Sequence, residues 1–341
     1  MSGLLSIIFG SIADTLPFAI IFFIVGLVLL IKGGDWFVDG AVGIAHKFNM
    51  PEILIGATVV SIGTTLPEVM VSAGGAVKGV GAMAYGNALG SIICNTALIA
   101  AITVAVKPSL VDKKSLKTPV IFFTLAAVLY VVISYTTGSF NRLSGIILLA
   151  LFAIYMFISI RQAITVKNTT VQATETETEE KPSSSSTMKD VIFLIIGAAF
   201  IAFGADLLVD KGTFIAKAIG VPEAVIALTF VALGTSLPEL VTAITSLAKG
   251  SGALSLGNII GANMFNMVLV TGLSVTLAPF DIPSDKYIAG INSSLIVDIP
   301  VMIFVSAVLI VPALIRGKMA RAQGIILLAT YAAFIAFQFI F

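Results

Sequence analysis

The sequence predicts an all-α integral membrane protein of ten transmembrane helices, arranged as two inverted five-helix repeats. Three observations carry that prediction. Hydrophobic residues make up 58% of the 341-residue chain and charged ones only 11%, with a mean hydropathy of +1.10, whereas soluble domains are about 25% charged. Apolar stretches recur from end to end, each close to the roughly 20 residues that cross a bilayer as a helix. Polar landmarks of the first half also return in the second at one constant shift of 171 residues, the interval from Glu68 to Glu239.

The first span is expected over 16–33; the first 20 residues hold no basic cluster, which speaks against a cleavable signal peptide. The second, 52–77, opens on Pro51-Glu52, with a proline at a helix start and an acid suited to the helix dipole. Spans at 82–106, 117–137 and 143–163 complete a first repeat, residues 1–164. Lys167 to Lys189 contains ATETETEEK and a serine run with nothing apolar to bury, and reads as a disordered cytoplasmic linker, residues 165–189. A second repeat, 190–341, holds spans at 190–209, 223–248, 253–279, 289–315 and 320–341. Five spans per repeat is an odd number, so the second copy enters the bilayer from the opposite side.

The matches are specific. Asp35 and Asp39 answer to Asp206 and Asp210, and Pro51-Glu52 to Pro222-Glu223. GTTLPE (63–68) answers to GTSLPE (234–239), and GNALGSIICN (86–95) to GNIIGANMFN (257–266). Alternate loops divide the 19 Lys and Arg residues unequally, fourteen to five, which predicts both termini outside and the linker in the cytoplasm of a multi-pass plasma-membrane protein. A net charge of +1 suggests no nucleic-acid partner, and the single cysteine, Cys94, excludes an intrachain disulfide or multi-cysteine metal centre. The oligomeric state is not legible.

Chemistry concentrates in the matched motifs. Proline lacks an N–H, so Pro67 and Pro238 free the carbonyls of Gly63 and Gly234, and irregular backbone at membrane depth is tolerated where it lines a cavity. Glu68 and Glu239 add carboxylates, while Thr64, Thr65, Thr235 and Ser236 add hydroxyls. Such hard oxygen donors suit calcium or sodium rather than zinc or copper. Ser91 and Asn95 share a helical face, as do Ala262 and Asn266. Gly86, Gly90, Gly257 and Gly261 are expected to serve helix packing. Asp35, Asp39, Asp206 and Asp210 are expected at span ends, facing water or capping neighbours. Asp298, which the shift sets against Ala127, is expected to cap locally beside Pro300, and Trp36 and His46 to sit at the interface.

These paired motifs closely resemble the two alpha repeats of the calcium/cation antiporter superfamily, specifically the prokaryotic sodium/calcium exchangers, over roughly 35–107 and 206–278. The resemblance implies a transporter with no catalytic residues and no cofactor, exchanging Ca²⁺ for Na⁺ by alternating access, in the direction of Ca²⁺ extrusion. It implies that Glu68, Glu239 and the carbonyls of Thr64 and Thr235 bind Ca²⁺. Na⁺ would use the same groups with Ser61, Ser91, Ala232 and Ser236, while Asn95 and Asn266 flank the central site. Ala262 departs from the serine common there, which leaves three or two Na⁺ per Ca²⁺ open. Asn266 stands where some members have an aspartate, which the resemblance links to potassium use in the potassium-dependent branch, so Asn266 favours potassium independence. Ca²⁺/H⁺ exchange on the same fold is the alternative, and an intramembrane protease or a cation channel are distant ones.

Overall fold

The computed structural model describes residues 15–48, 50–108, 111–173, 184–220, 234–283 and 287–340. Among these residues the helices in order are α1 Leu16–Lys47, α2 Glu52–Val77, α3 Gly81–Val106, α4 Lys113–Thr137, α5 Arg142–Ala173, α6 Ser184–Ala218, α7 Leu237–Ala248, α8 Gly252–Leu277, α9 Ser294–Arg316 and α10 Arg321–Ile340. Among the described residues, all but α7 are long and apolar enough to cross a membrane, and 221–233, which hold most of the rest of that predicted span, lie outside them. Large apolar side chains such as Ile21, Ile24, Val28, Val128, Ile195 and Ile325 are exposed around the outside. In water that surface would be costly; in a bilayer it is the solvated one.

Helices α1 and α6 outrun their predicted ends. The polar residues after Gly33 end the apolar count, yet α1 continues to Lys47, and α6 continues to Ala218 past the predicted 209. They continue because these two helices pack on each other along their length. Asp35, Asp39, Asp206 and Asp210 therefore lie within helices rather than at their ends. The expected linker is likewise shortened: helix reaches Ala173 and resumes at Ser184, with 174–183 outside the described residues.

Where α1 meets α6 the inversion is visible in single contacts. A Cβ on Gly26 would touch the backbone of Gly204 at 3.0 Å, and one on Gly33 the Gly197 carbonyl at 2.9 Å. Residue numbers rise along one helix as they fall along the other, so matched helices run antiparallel. The 171-residue shift carries the first contact onto the second, as a pseudo-two-fold axis requires. The most buried spans are α3 and α8; with α2 and α7 they form the centre. Gly257 and Gly261 lie against Ile53, Ala57 and Ser61 of α2, too close to admit a side chain, so the packing role expected of these two glycines holds. At Gly86 and Gly90 no described atom is so close, and the counterpart segment lies among 221–233.

Element ends follow local chemistry. Asp112 caps α4 by accepting from the backbone N–H groups of Lys114 and Ser115, and the Ser115 hydroxyl bond, first among its partners, holds its carboxyl below the usual range. Gly138 (φ 64°) and Gly317 (φ 65°) close α4 and α9 in the left-handed conformation. Short strands absent from the sequence prediction occur at the loops: β1 Ser139–Phe140 pairs antiparallel with β2 Phe280–Asp281, and β3 Tyr287–Ile288 with β4 Ile291–Asn292.

Candidate functional site

GTTLPE lies in α2, just past a π-helical turn at Gly56–Val60, and the helix passes through Pro67 without interruption. In the second repeat Thr235 and Ser236 form a turn, α7 starts at Leu237, and Pro238 falls in its first turn, where a missing N–H is cheapest. The expected break is thus present at Pro238 and absent at Pro67, ahead of which α2 packs on Gly257 and Gly261 of α8. Matching π-helical segments begin at Asn95 in α3 and Asn266 in α8.

Glu68, Glu239, Asn95 and Asn266 are fully buried. None of their side-chain oxygens or nitrogens has a hydrogen-bond partner, and neither do the buried hydroxyls of Thr65 and Ser236. These six residues are three matched pairs under the repeat shift. The two carboxylates are near enough to repel each other. One unsatisfied buried polar group costs about 1–3 kcal/mol, and a charged one more, a cost that a cation bound among these oxygens would offset. Two carboxylates supplemented by neutral oxygens also fit the absence, among the described residues, of any group of three or more His, Cys, Asp or Glu side chains.

The other hydroxyl of each motif is taken. Thr64 Oγ1 donates to Asn258 Oδ1 at 3.2 Å, and Thr235 Oγ1 donates to Asn87 Oδ1 at 3.2 Å. Asn87 and Asn258 are themselves matched, so each bond crosses from one repeat to the other and the pair obeys the pseudo-two-fold. The Ser61 hydroxyl is held at the Gly56 carbonyl (2.8 Å) and at Asn258 (3.0 and 3.2 Å). Ser91 is buried on α3, and Ala262 is fully buried at the matched position of α8. Ala232 lies outside the described residues, as do Pro222 and Glu223.

The remaining sequence candidates divide. Glu52 opens α2 as expected and accepts from the Ser251 hydroxyl at 3.4 Å. Asp298 accepts from Ser294 Oγ within its own helical turn and from Gln338 Nε2 of α10, each at 2.9 Å. Trp36 stacks between Phe193 and Phe200 on the α1–α6 contact. Asp35 and Asp39 neither cap nor simply face water: Lys249, at the end of α7, bonds to the Asp35 carbonyl at 2.9 Å and Asp39 Oδ1 at 2.7 Å. Sequence reasoning missed Lys249, although the shift pairs it with Lys78 just as it pairs the aspartates. Lys78 is exposed and forms no ion pair among the described residues, and Asp210 pairs with the adjacent Lys211 at 3.1 Å.

The family model for "Sodium/calcium exchanger protein" matches residues 18–161 and 189–340. The chain belongs to the sodium/calcium exchanger family. The solved structure of the sodium-calcium exchanger NCX_Mj, soaked with Na⁺ and Sr²⁺, superimposes with a TM-score of 0.79 at 32% identity, covering 94% of this chain and 99% of that one. An uncharacterised membrane protein of Methanocaldococcus jannaschii is 34% identical, covering 92% of this chain and 96% of its own. The sodium/calcium exchanger MaX1 of Methanosarcina acetivorans is 29% identical, covering 93% and 97%. Membership makes the chain a multi-pass membrane antiporter of cations including Ca²⁺ and not an enzyme, which removes the protease alternative.

Proposed function

We propose that this exchanger couples Na⁺ entry to Ca²⁺ extrusion by alternating access at the α2–α3–α7–α8 centre. The observation that carries the reading is the matched set of buried oxygens without partners, on Glu68, Glu239, Thr65, Ser236, Asn95 and Asn266. In this reading Glu68 and Glu239, with the carbonyls of Thr64 and Thr235, hold Ca²⁺. Na⁺ ions use the same groups with Ser61, Ser91, Ala232 and Ser236, and Asn95 and Asn266 flank the central position. The Ser61 hydroxyl is already occupied, so its backbone or a remaining lone pair is what it can offer.

Hydroxyl oxygens favour Na⁺ over H⁺ as the coupling ion, because protonating two glutamates needs no oxygen cage. Two ionised glutamates balance one Ca²⁺, whereas three Na⁺ leave one positive charge to cross, worth about 2.3 kcal/mol per 100 mV. The basic-residue bias supports termini outside and the linker in the cytoplasm of the plasma membrane. The test is Ca²⁺ flux into proteoliposomes under an imposed Na⁺ gradient with pH clamped. Flux that requires the Na⁺ gradient and is lost in Glu68→Gln and Glu239→Gln is expected; flux driven only by a pH gradient would make the protein a Ca²⁺/H⁺ exchanger, and flux with no counter-ion requirement a channel.

A further inference from the structure

We propose that Asn87 and Asn258 are positioning residues of the exchange site, each setting the ion-site threonine of the opposite repeat. This rests on the reading above, in which Thr64 and Thr235 supply ligand oxygens.

The asparagines have no charge to bring to an ion, and their Oδ1 atoms are occupied: Thr64 donates to Asn258 and Thr235 to Asn87, each at 3.2 Å. Chemistry fixes which end of the Asn87 amide faces Thr235. Its Nδ2 lies 3.3 Å from the Glu68 carbonyl and 2.8 Å from Ser72 Oγ. A carbonyl can only accept, so the amide nitrogen must point there and Oδ1 must point to Thr235. One side chain thereby holds the backbone of the first repeat's glutamate and the hydroxyl of the second repeat's threonine. Asn258 performs the mirrored task for Thr64 and also receives Ser61 at 3.2 Å.

A hydroxyl has one proton. Spent on asparagine, it fixes the threonine side chain, within α2 for Thr64 and in the turn before α7 for Thr235. The neighbouring hydroxyls, Thr65 and Ser236, are buried without hydrogen-bond partners. The division recurs in both repeats: the first hydroxyl of each motif anchors, and the second is left to the ion. Because each anchor lies in the other repeat, the geometry of one half-site depends on the register of the other half. Ser72 has no polar counterpart, since Ala243 matches it, and Asn258 Nδ2 is correspondingly unpartnered; the Asn87 arm is the more tightly held.

Double-mutant cycles in proteoliposomes test this, reading half-saturating Ca²⁺ and maximal rate separately. Thr64→Val should raise half-saturating Ca²⁺ about five-fold, the loss of one hydrogen bond, and Asn258→Ala, which also loses the Ser61 bond, at least as much, with the maximal rate little changed in both. Their combination should do no more than the larger single change. The mismatched combination Asn258→Ala with Thr235→Val should multiply to about 25-fold or more. Asn87→Ala with Thr235→Val gives an independent second cycle. If an alanine variant does not fold, Asn87→Ser or Asn258→Ser, which keep a hydroxyl acceptor, takes its place. Matched pairs that multiply like mismatched ones, or single variants that fold with unaltered Ca²⁺ saturation, would overturn the proposal. Glu68→Gln serves as the separate control: if it binds Ca²⁺ normally, the ion-site reading itself fails whatever the asparagines do.

Discussion

Between Ser91 and Ala262 the two repeats differ by one oxygen. Ala262 is fully buried, so a serine there would place a hydroxyl at the centre with no access to bulk water. Ala262→Ser is expected to steepen the Na⁺ dependence of exchange and increase the transport current under opposed gradients; an unaltered Hill slope would show that the position takes no part in Na⁺ binding. The carboxylates, threonines and asparagines of this centre were legible because a polar side chain repeated in register inside an apolar span has few other reasons to exist. The bonds from Thr64 to Asn258 and from Thr235 to Asn87 were not legible, because they join residues 194 and 148 positions apart and depend on which helices cross. The fate of the Ser61 hydroxyl, spent on Gly56 and Asn258, belongs to the same class.

Among the described residues the helices follow the predicted order but not the predicted lengths. A count of apolar residues ends α1 near Gly33, because it registers Lys32 and Asp35 and cannot register a partner helix. The missing signal was present in another form: Gly26, Gly33 and Gly40 recur every seven residues on one face, as Gly197 and Gly204 do on the partner. A Cβ on Gly33 would come within 2.8 Å of Ile201 N and Phe200 Cβ. Gly33→Ala should therefore cost about 1–3 kcal/mol through overpacking, seen as a lower Tm of the purified protein, whereas Gly74→Ala, where no described atom lies within 4 Å, should leave it nearly unchanged. The π-helical turns at Asn95 and Asn266 were illegible, since a one-residue change of hydrogen-bond register has no composition of its own.

At the scale of the molecule the repeat is closely obeyed at the α1–α6 contact and at the crossed asparagines, and broken at its two lysines. Lys249 ties the α7–α8 hairpin to Asp35 and Asp39 of α1, while Lys78, its counterpart on the α2–α3 hairpin, ties nothing among the described residues. Lys249→Gln is expected to raise hydrogen exchange in the α7–α8 hairpin by up to about five-fold, the range of a partly exposed ion pair, and to leave the α2–α3 hairpin unchanged. Equal effects on both would mean that the lysine acts on overall stability.

The unequal lysines also bear on energetics. In an inverted repeat of identical halves, exchanging the roles of the halves would turn an inward-open carrier into an outward-open one. The two would then have the same free energy, and the resting carrier would spend half its time in each. A clasp closed at one face without a twin at the other removes that equality. In alternating access, a clasp held in one conformation and released in the other would weight the resting population toward the conformation in which Lys249 is held.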